Sequence, residues 1–136
     1  MIWFKEFTPE ILNSRPKNHI GALLDIQFTE IGENFIVGTM PVDERTHQPA
    51  GILHGGASVA LAETLGSVGS NMLAGEGLVA VGLEINANHI RPAYDGWVYA
   101  TARPEALGRT THVWSIRIED EAGKLEAALK RLAEIG

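Results

Sequence analysis

Between Gly55 and Gly75 the chain reads GGASVALAETLGSVGSNMLAG, apolar or small at nearly every position, and Glu63 is its only charged residue. Ala60, Leu61, Thr64, Leu65 and Val68 recur at helical spacing, which predicts a helix from about Gly55 to Met72. Such a helix has no polar face to give to water, so another layer must wrap it. Downstream, Leu78 to Ile90, Trp97 to Arg103 and Thr110 to Glu119 have strand character. Val79, Val81, Leu83 and Ile85 alternate with other residues, as do His112, Trp114, Ile116 and Ile118. Tyr94-Asp95-Gly96, Ala106-Leu107-Gly108 and Asp120-Glu121-Ala122-Gly123 read as turns.

Upstream, Thr8-Pro9-Glu10 offers a cap, a proline at the first helical position and an acid, which predicts a short helix. A second short helix is expected over Asn18 to Leu24. Strands are expected at Asp25 to Ile31 and Phe35 to Val42, joined by the hairpin turn Gly32-Glu33-Asn34. Asp43 to Leu53 is a loop. The last segment reads two ways. Leu125, Ala128, Leu129, Leu132 and Ile135 have helical spacing and strong helix formers, yet a segment following three strands and a turn suits a final strand. The outline is one α+β domain over residues 1–136, an antiparallel sheet curled around one long central helix.

With 136 residues the chain can bury a substantial core, and its net charge of −6 argues against general nucleic-acid binding. The absence of cysteine removes disulfides, thiolate metal sites and a cysteine nucleophile, and fits a reducing compartment. Met1 to Glu6 does not read as a secretion leader, and glycines, serines, Asn71 and Glu63 make the long helix too polar for a membrane span. A cytoplasmic protein without membrane contact is expected. The five histidines show no metal-binding spacing, so neither a metal nor a cofactor is expected.

A charge inside an apolar helix is costly unless it has a partner or a task. Just ahead of Glu63 stands His47-Gln48-Pro49-Ala50-Gly51-Ile52-Leu53-His54-Gly55-Gly56, a polar, glycine-rich helix entrance. Together these suit acyl transfer. Glu63 can attack a carbonyl or serve as general base for water. Gly55 offers a free backbone N–H at the positive end of the helix, an oxyanion donor. The Gln48 amide can donate to the same carbonyl, His54 can support it, and Ser67, one turn after Glu63, can position water. Gly55 and Glu63 are eight residues apart, about 12 Å along one helix, too far for one carbonyl to reach both. If both act, two subunits must share each site, with their helices antiparallel.

Pro41-Val42-Asp43, Arg45-Thr46-His47-Gln48-Pro49, Gly51-Ile52-Leu53-His54-Gly55-Gly56-Ala57-Ser58, Leu61-Ala62-Glu63-Thr64-Leu65-Gly66-Ser67, Val81 to Pro92 and Leu107-Gly108-Arg109 resemble the hotdog-fold acyl-CoA thioesterases. The chain is most similar to the branch holding the menaquinone-pathway 1,4-dihydroxy-2-naphthoyl-CoA thioesterase and its enterobactin-pathway relative. The resemblance covers roughly residues 1–125. It implies hydrolysis of acyl-CoA thioesters, aryl ones preferred, in a homodimer commonly doubled to a tetramer. It also implies coenzyme A contacts at Gly82, His89, Arg91 and Arg109; the last three also suit phosphate by charge. Coenzyme A is then part of the substrate. Phe7, Leu12, Ile52, Val68 and Met72 are candidates for the acyl pocket. The tail departs from the branch's small and β-branched residues, a change expected to leave the chemistry untouched.

Each assignment has a structural alternative. Glu63 could pair an arginine, His54 and Gln48 could be loop residues, Ser67 a small packing residue, His89 and Arg91 strand-end surface residues. Asp43 and His47 are read as loop-structural. Rival functions are an acyl-carrier-protein proofreading thioesterase, a hotdog dehydratase, for which no His/Asp pair is seen, and a non-catalytic acyl-CoA-binding module. Gly66-Ser67-Val68-Gly69-Ser70 lacks the strand-turn-helix setting of a serine nucleophile.

Overall fold

The computed structural model describes residues 1–135. Two short helices, α1 (Pro9–Asn13) and α2 (Ile20–Leu23), precede the hairpin β1 (Gln27–Ile31) and β2 (Ile36–Pro41). The long helix α3 (Gly55–Ala74) follows, then β3 (Ala80–His89), β4 (Trp97–Leu107), β5 (Thr111–Asp120) and β6 (Leu125–Ile135). The strands form one six-stranded sheet in the order β1-β2-β4-β5-β6-β3, antiparallel throughout. No helix among the described residues is long and apolar enough to cross a membrane.

The sheet covers α3 as the apolar pattern requires. Leu61, Ala62, Leu65, Val68 and Met72 of α3 are buried against Val98, Ala100, Ala102, Ile116, Ile118 and Leu129 of the sheet. Fully burying side chains such as Leu61 and Leu65 stabilises by about 2 kcal/mol each. Close approach depends on missing side chains. A Cβ at Gly69 would stand 2.7 Å from the Trp114 ring, so only glycine lets β5 pack this tightly. Trp114 also stacks on Trp3, with ring planes 3° apart, and the Trp3 indole donates to the Gly32 carbonyl at 2.8 Å. The N-terminal residues are thereby tied to the β1–β2 turn.

Two expectations change, and the tail, which read two ways, resolves. The tail is strand β6, because both neighbours need it: β6 pairs with β5 on one side and with β3 on the other. Ladder bonds and burial of Ala127, Leu129 and Ala133 override its helix propensity. Ala106-Leu107 belongs to β4, which continues past an irregularity between Pro104 and Ala106. In β3 a bulge between Gly82 and Glu84 breaks the alternation. Val79, Val81 and Leu83 stay exposed while Ile85 turns to the core.

A buried polar network pins α3 to β5. The Trp114 indole donates to Ser70 Oγ at 2.7 Å, and His112 Nδ1 shares a hydrogen bond with the same hydroxyl at 3.0 Å. Burial disfavours a second proton on the imidazole and holds His112 below its ordinary pKa of 6.5. The unfolded chain therefore takes this proton first. The contribution is complete above about pH 6.5 and is lost as pH falls through the lower folded-state value. Urea denaturation from pH 7.5 to 5.0 should show wild type losing stability more steeply than His112→Gln; parallel curves would contradict this.

Candidate functional site

The loop from Asp43 to Leu53 is held before any ligand arrives. Thr46 Oγ1 donates to the Pro41 carbonyl at 2.8 Å, and the His54 N–H donates to the Thr46 carbonyl at 2.8 Å. Asp43 receives the Arg45 guanidinium and backbone N–H, which hold its carboxyl below the usual range. His47 Nε2 lies 2.9 Å from the Tyr94 carbonyl. Both residues are loop-structural, as expected. The Gln48 side-chain oxygen accepts from the Ala50 N–H, so its NH2 is the free end, a donor by construction.

At the start of α3 the donors can be accounted for one by one. The Gly56 N–H donates to His54 Nδ1 at 2.8 Å, and the Ala57 and Ser58 N–H groups donate to the His54 carbonyl at 3.0 and 3.2 Å. Gly55 is left as the first-turn residue whose N–H has no such partner among the described residues. A Cβ on Gly55 would stand 3.1 Å from His89 Nε2, so the imidazole rests where a side chain would be. Gln48, Ile52, Gly55, Ser58, His89 and Arg91 line one cavity of about 430 Å³. Glu126 closes its wall, its carboxyl pushed up by burial and by nearby Asp120 and drawn partly back by Arg91.

Glu63 faces a different cavity, of about 310 Å³, lined by Leu12, Ile20, Ile26, Phe28, Ser67 and Val68, with Arg15, Lys17 and His19 around it. Its side chain is 41% exposed, and behind it lies Arg131, whose side chain is fully buried. Arg131 Nε donates to Glu63 Oε2, and Nη2 donates to Glu63 Oε1 at 3.1 Å and to Ser67 Oγ at 2.6 Å. Two glycines make room. A Cβ at Gly66 would overlap the Arg131 stem, and one at Gly82 would stand 2.5 Å from Glu63 Oε1 and 2.9 Å from Arg131 Nη2.

The structure thus divides the expected residues. Gln48, Gly55, His89 and Arg91 come together; Glu63, Ser67 and Gly82 come together elsewhere. His54 is the helix cap, and its ring borders a third cleft with Arg45 and His47. Arg109 is exposed in the β4–β5 turn. Thr111 pairs Glu134 while Ile118 pairs Ala127, next to the His89 end, so Thr111, two residues beyond Arg109, already lies about 23 Å along the sheet from that end. Of the apolar candidates, Leu12 and Val68 line the Glu63 cavity, Ile52 lines the Gly55 cavity, and Phe7 and Met72 line a neighbouring cleft. Among the described residues no three His, Asp or Glu side chains converge as metal ligands.

The tail does reach the candidate residues, contrary to expectation, because β6 carries Arg131, which bonds Glu63 and Ser67. The structural alternative for Glu63, an arginine partner, is real. A sequence signal existed: read as a strand, the tail alternates Ala127, Leu129, Arg131, Ala133, which places one lone cation on an apolar face. Gly82→Ala should force the carboxylate and guanidinium apart, costing about 1–3 kcal/mol by urea denaturation; an unchanged midpoint would contradict the close approach.

Residues 50–127 match the family model described as the thioesterase superfamily. The chain is 48% identical over 125 residues to the 1,4-dihydroxy-2-naphthoyl-CoA hydrolase of Escherichia coli, covering 92% of each chain. It is 45% identical over 124 residues to the proofreading thioesterase EntH of Cronobacter turicensis, covering 91% of this chain and 90% of that one. The crystal structure of a Haemophilus influenzae thioesterase superposes with a TM-score of 0.97 at 47% identity, over 100% of this chain and 95% of that one. The sheet wrapped around α3 and these matches together place the chain in the hotdog-fold thioesterase superfamily, as a thioester hydrolase.

Proposed function

We propose that this thioesterase hydrolyses aryl-acyl-CoA thioesters to the free acid and coenzyme A in the cytoplasm, with each site shared by two subunits. The observation that carries the reading is the division of the site. A carboxylate faces one apolar cavity, and a free N–H with a free amide donor faces another, about 12 Å away along the same helix. One carbonyl can meet both sets only if they come from different subunits.

The edge of the sheet supports that arrangement. β3 ends the strand order, and beside its outer edge Val79, Val81 and Leu83 are about half exposed. An apolar, unpaired edge of this length invites another strand. Two β3 strands joined antiparallel would run the two α3 helices side by side in opposite directions. That sets Gly55 and Gln48 of one subunit opposite Glu63 of the other. Two such dimers pairing again give the tetramer implied by the resemblance.

In this arrangement the thioester oxygen accepts from Gly55 N–H and Gln48 Nε2, with His89 beside them. Arg91 meets coenzyme A phosphate, and Arg109 can do so only from another subunit. His54 supports the carbonyl side by fixing the first turn of α3. As general base, Glu63 takes a proton from water while the water oxygen bonds the carbonyl carbon and charge moves onto the carbonyl oxygen. Collapse breaks the C–S bond, and the thiolate leaves with that proton. As nucleophile, Glu63 displaces the thiolate to form an anhydride, which water then hydrolyses. Ser67 stands beside either path. No metal or other cofactor is required.

The apolar cavity suits an aryl group in size and lining, and the Escherichia coli relative is named for an aryl-CoA substrate. A carrier-protein substrate is the second reading, favoured by the relative named as a proofreading thioesterase. Thiol release from aryl- and alkyl-CoA thioesters should be fastest with aryl groups and fall about 10³-fold in Glu63→Ala; turnover retained by that variant would overturn the role of Glu63. Leu83→Lys should give monomers by light scattering with turnover lost; a fully active monomer would overturn the shared site.

A further inference from the structure

Resting on the reading that Glu63 activates water or attacks the carbonyl, we propose that Arg131 is the positioning residue of this site. It is a guanidinium behind the reacting carboxylate that fixes Glu63 and Ser67 as an acceptor and a donor facing one point in the cavity.

Geometry carries the argument. Arg131 enters from β6, on the core side, and no part of its side chain is exposed. Its Nε and Nη2 engage both Glu63 oxygens, while the carboxylate keeps its open side toward the cavity. A carboxylate has about four lone-pair positions, so two remain for water or substrate. Nη2 also donates to Ser67 Oγ at 2.6 Å. Because a guanidinium only donates, the Ser67 hydroxyl must accept, and its own proton is free for the cavity that both residues line. One cation therefore presets an acceptor and a donor, the pair of contacts that orients a water molecule.

Stability does not account for the arrangement. Arg131 Nη1 is buried with no acceptor among the described residues, a destabilising condition. A packed apolar residue at such a position is commonly as stable as, or more stable than, a buried ion pair. The glycines at 66 and 82 are also committed to it, because a Cβ at either would collide with the arginine. A cation held at that cost, directly behind a carboxylate on a cavity wall, is explained by what it does to the carboxylate.

The test uses steady-state thiol release from benzoyl-CoA by the full chain. Arg131→Met should fold, bind substrate with KM within about threefold of wild type, and lose about 10²-fold in kcat from misplacement of the carboxylate. Arg131→Lys restores the charge without the fork and should recover only part of the loss. Millimolar guanidinium chloride should raise kcat of Arg131→Ala while urea, a neutral analogue, should not, with the melting temperature unchanged by either. A folded Arg131→Met with wild-type kcat overturns the proposal, as does equal response to guanidinium and urea. Should Arg131→Met not fold, Arg131→Lys decides: wild-type kcat overturns the proposal, a lowered kcat at unchanged KM supports it. Glu63→Ala runs in parallel. If it stays active, the reading of Glu63 fails and takes this proposal with it; if it is inactive while Arg131→Met is not, the role of Arg131 alone fails.

Discussion

A guanidinium cannot enter an apolar core alone, and much of this molecule is arranged around that constraint. Glu63 is the one charge on α3, and Arg131 is a charge on the otherwise apolar inner face of β6. Arg131, fully buried, would be costly without the carboxylate. Their meeting requires β6 to be a strand, inserted between β5 and β3, with its alternate residues turned to the helix. It also requires glycine at 66 on the helix and at 82 on β3, where any side chain would occupy the space of the pair. Helix, tail and edge strand are thus committed to one ion pair whose open side faces a cavity.

The second constraint is length. A helix of 20 residues carries both the donor end, at Gly55, and the carboxylate, at Glu63. The rigidity of the helix keeps them about 12 Å apart, and the cavities they face are separate. On the proposed chemistry, a subunit that binds a carbonyl at one point and activates its attacker at another has only half of two sites. Symmetric pairing through the β3 edge would convert two halves into two wholes. It would at the same time cover Val79, Val81 and Leu83, which a lone subunit leaves in water. The proposed chemistry and the exposed apolar edge call for the same partner, a second copy of the chain.

Most of the fold could be read from local patterns. The α3 signal was strong because twenty residues with one charge leave few alternatives, and the inward alternation of β5 was plain in His112, Trp114, Ile116 and Ile118. The alternation of β3 misled because a bulge after Gly82 is a property of pairing with β6, which local sequence does not display. The tail stayed open between helix and strand for a related reason. Glu126-Ala127-Ala128-Leu129-Lys130-Arg131-Leu132 prefers a helix in isolation, and the two vacant strand edges that claim it are tertiary facts. In the site, Gln48, Gly55 and Glu63 stood out by residue type and spacing. Arg131 did not, since a helical reading of the tail sets it on a solvated face. Arg109 was grouped with His89 and Arg91 by resemblance and by charge, and the sheet places it at the far end.

The measurement that tests the shared site most directly is subunit complementation. Glu63→Ala and Gln48→Ala, each inactive alone, are mixed, unfolded, refolded together and assayed for thiol release from an aryl-CoA. If one subunit supplies Glu63 and the other Gln48, half the dimers are mixed, and each mixed dimer has one intact site. Activity should then return to about a quarter of the wild-type rate. If both groups act within one chain, every site carries a lesion and no activity returns, which would contradict the account.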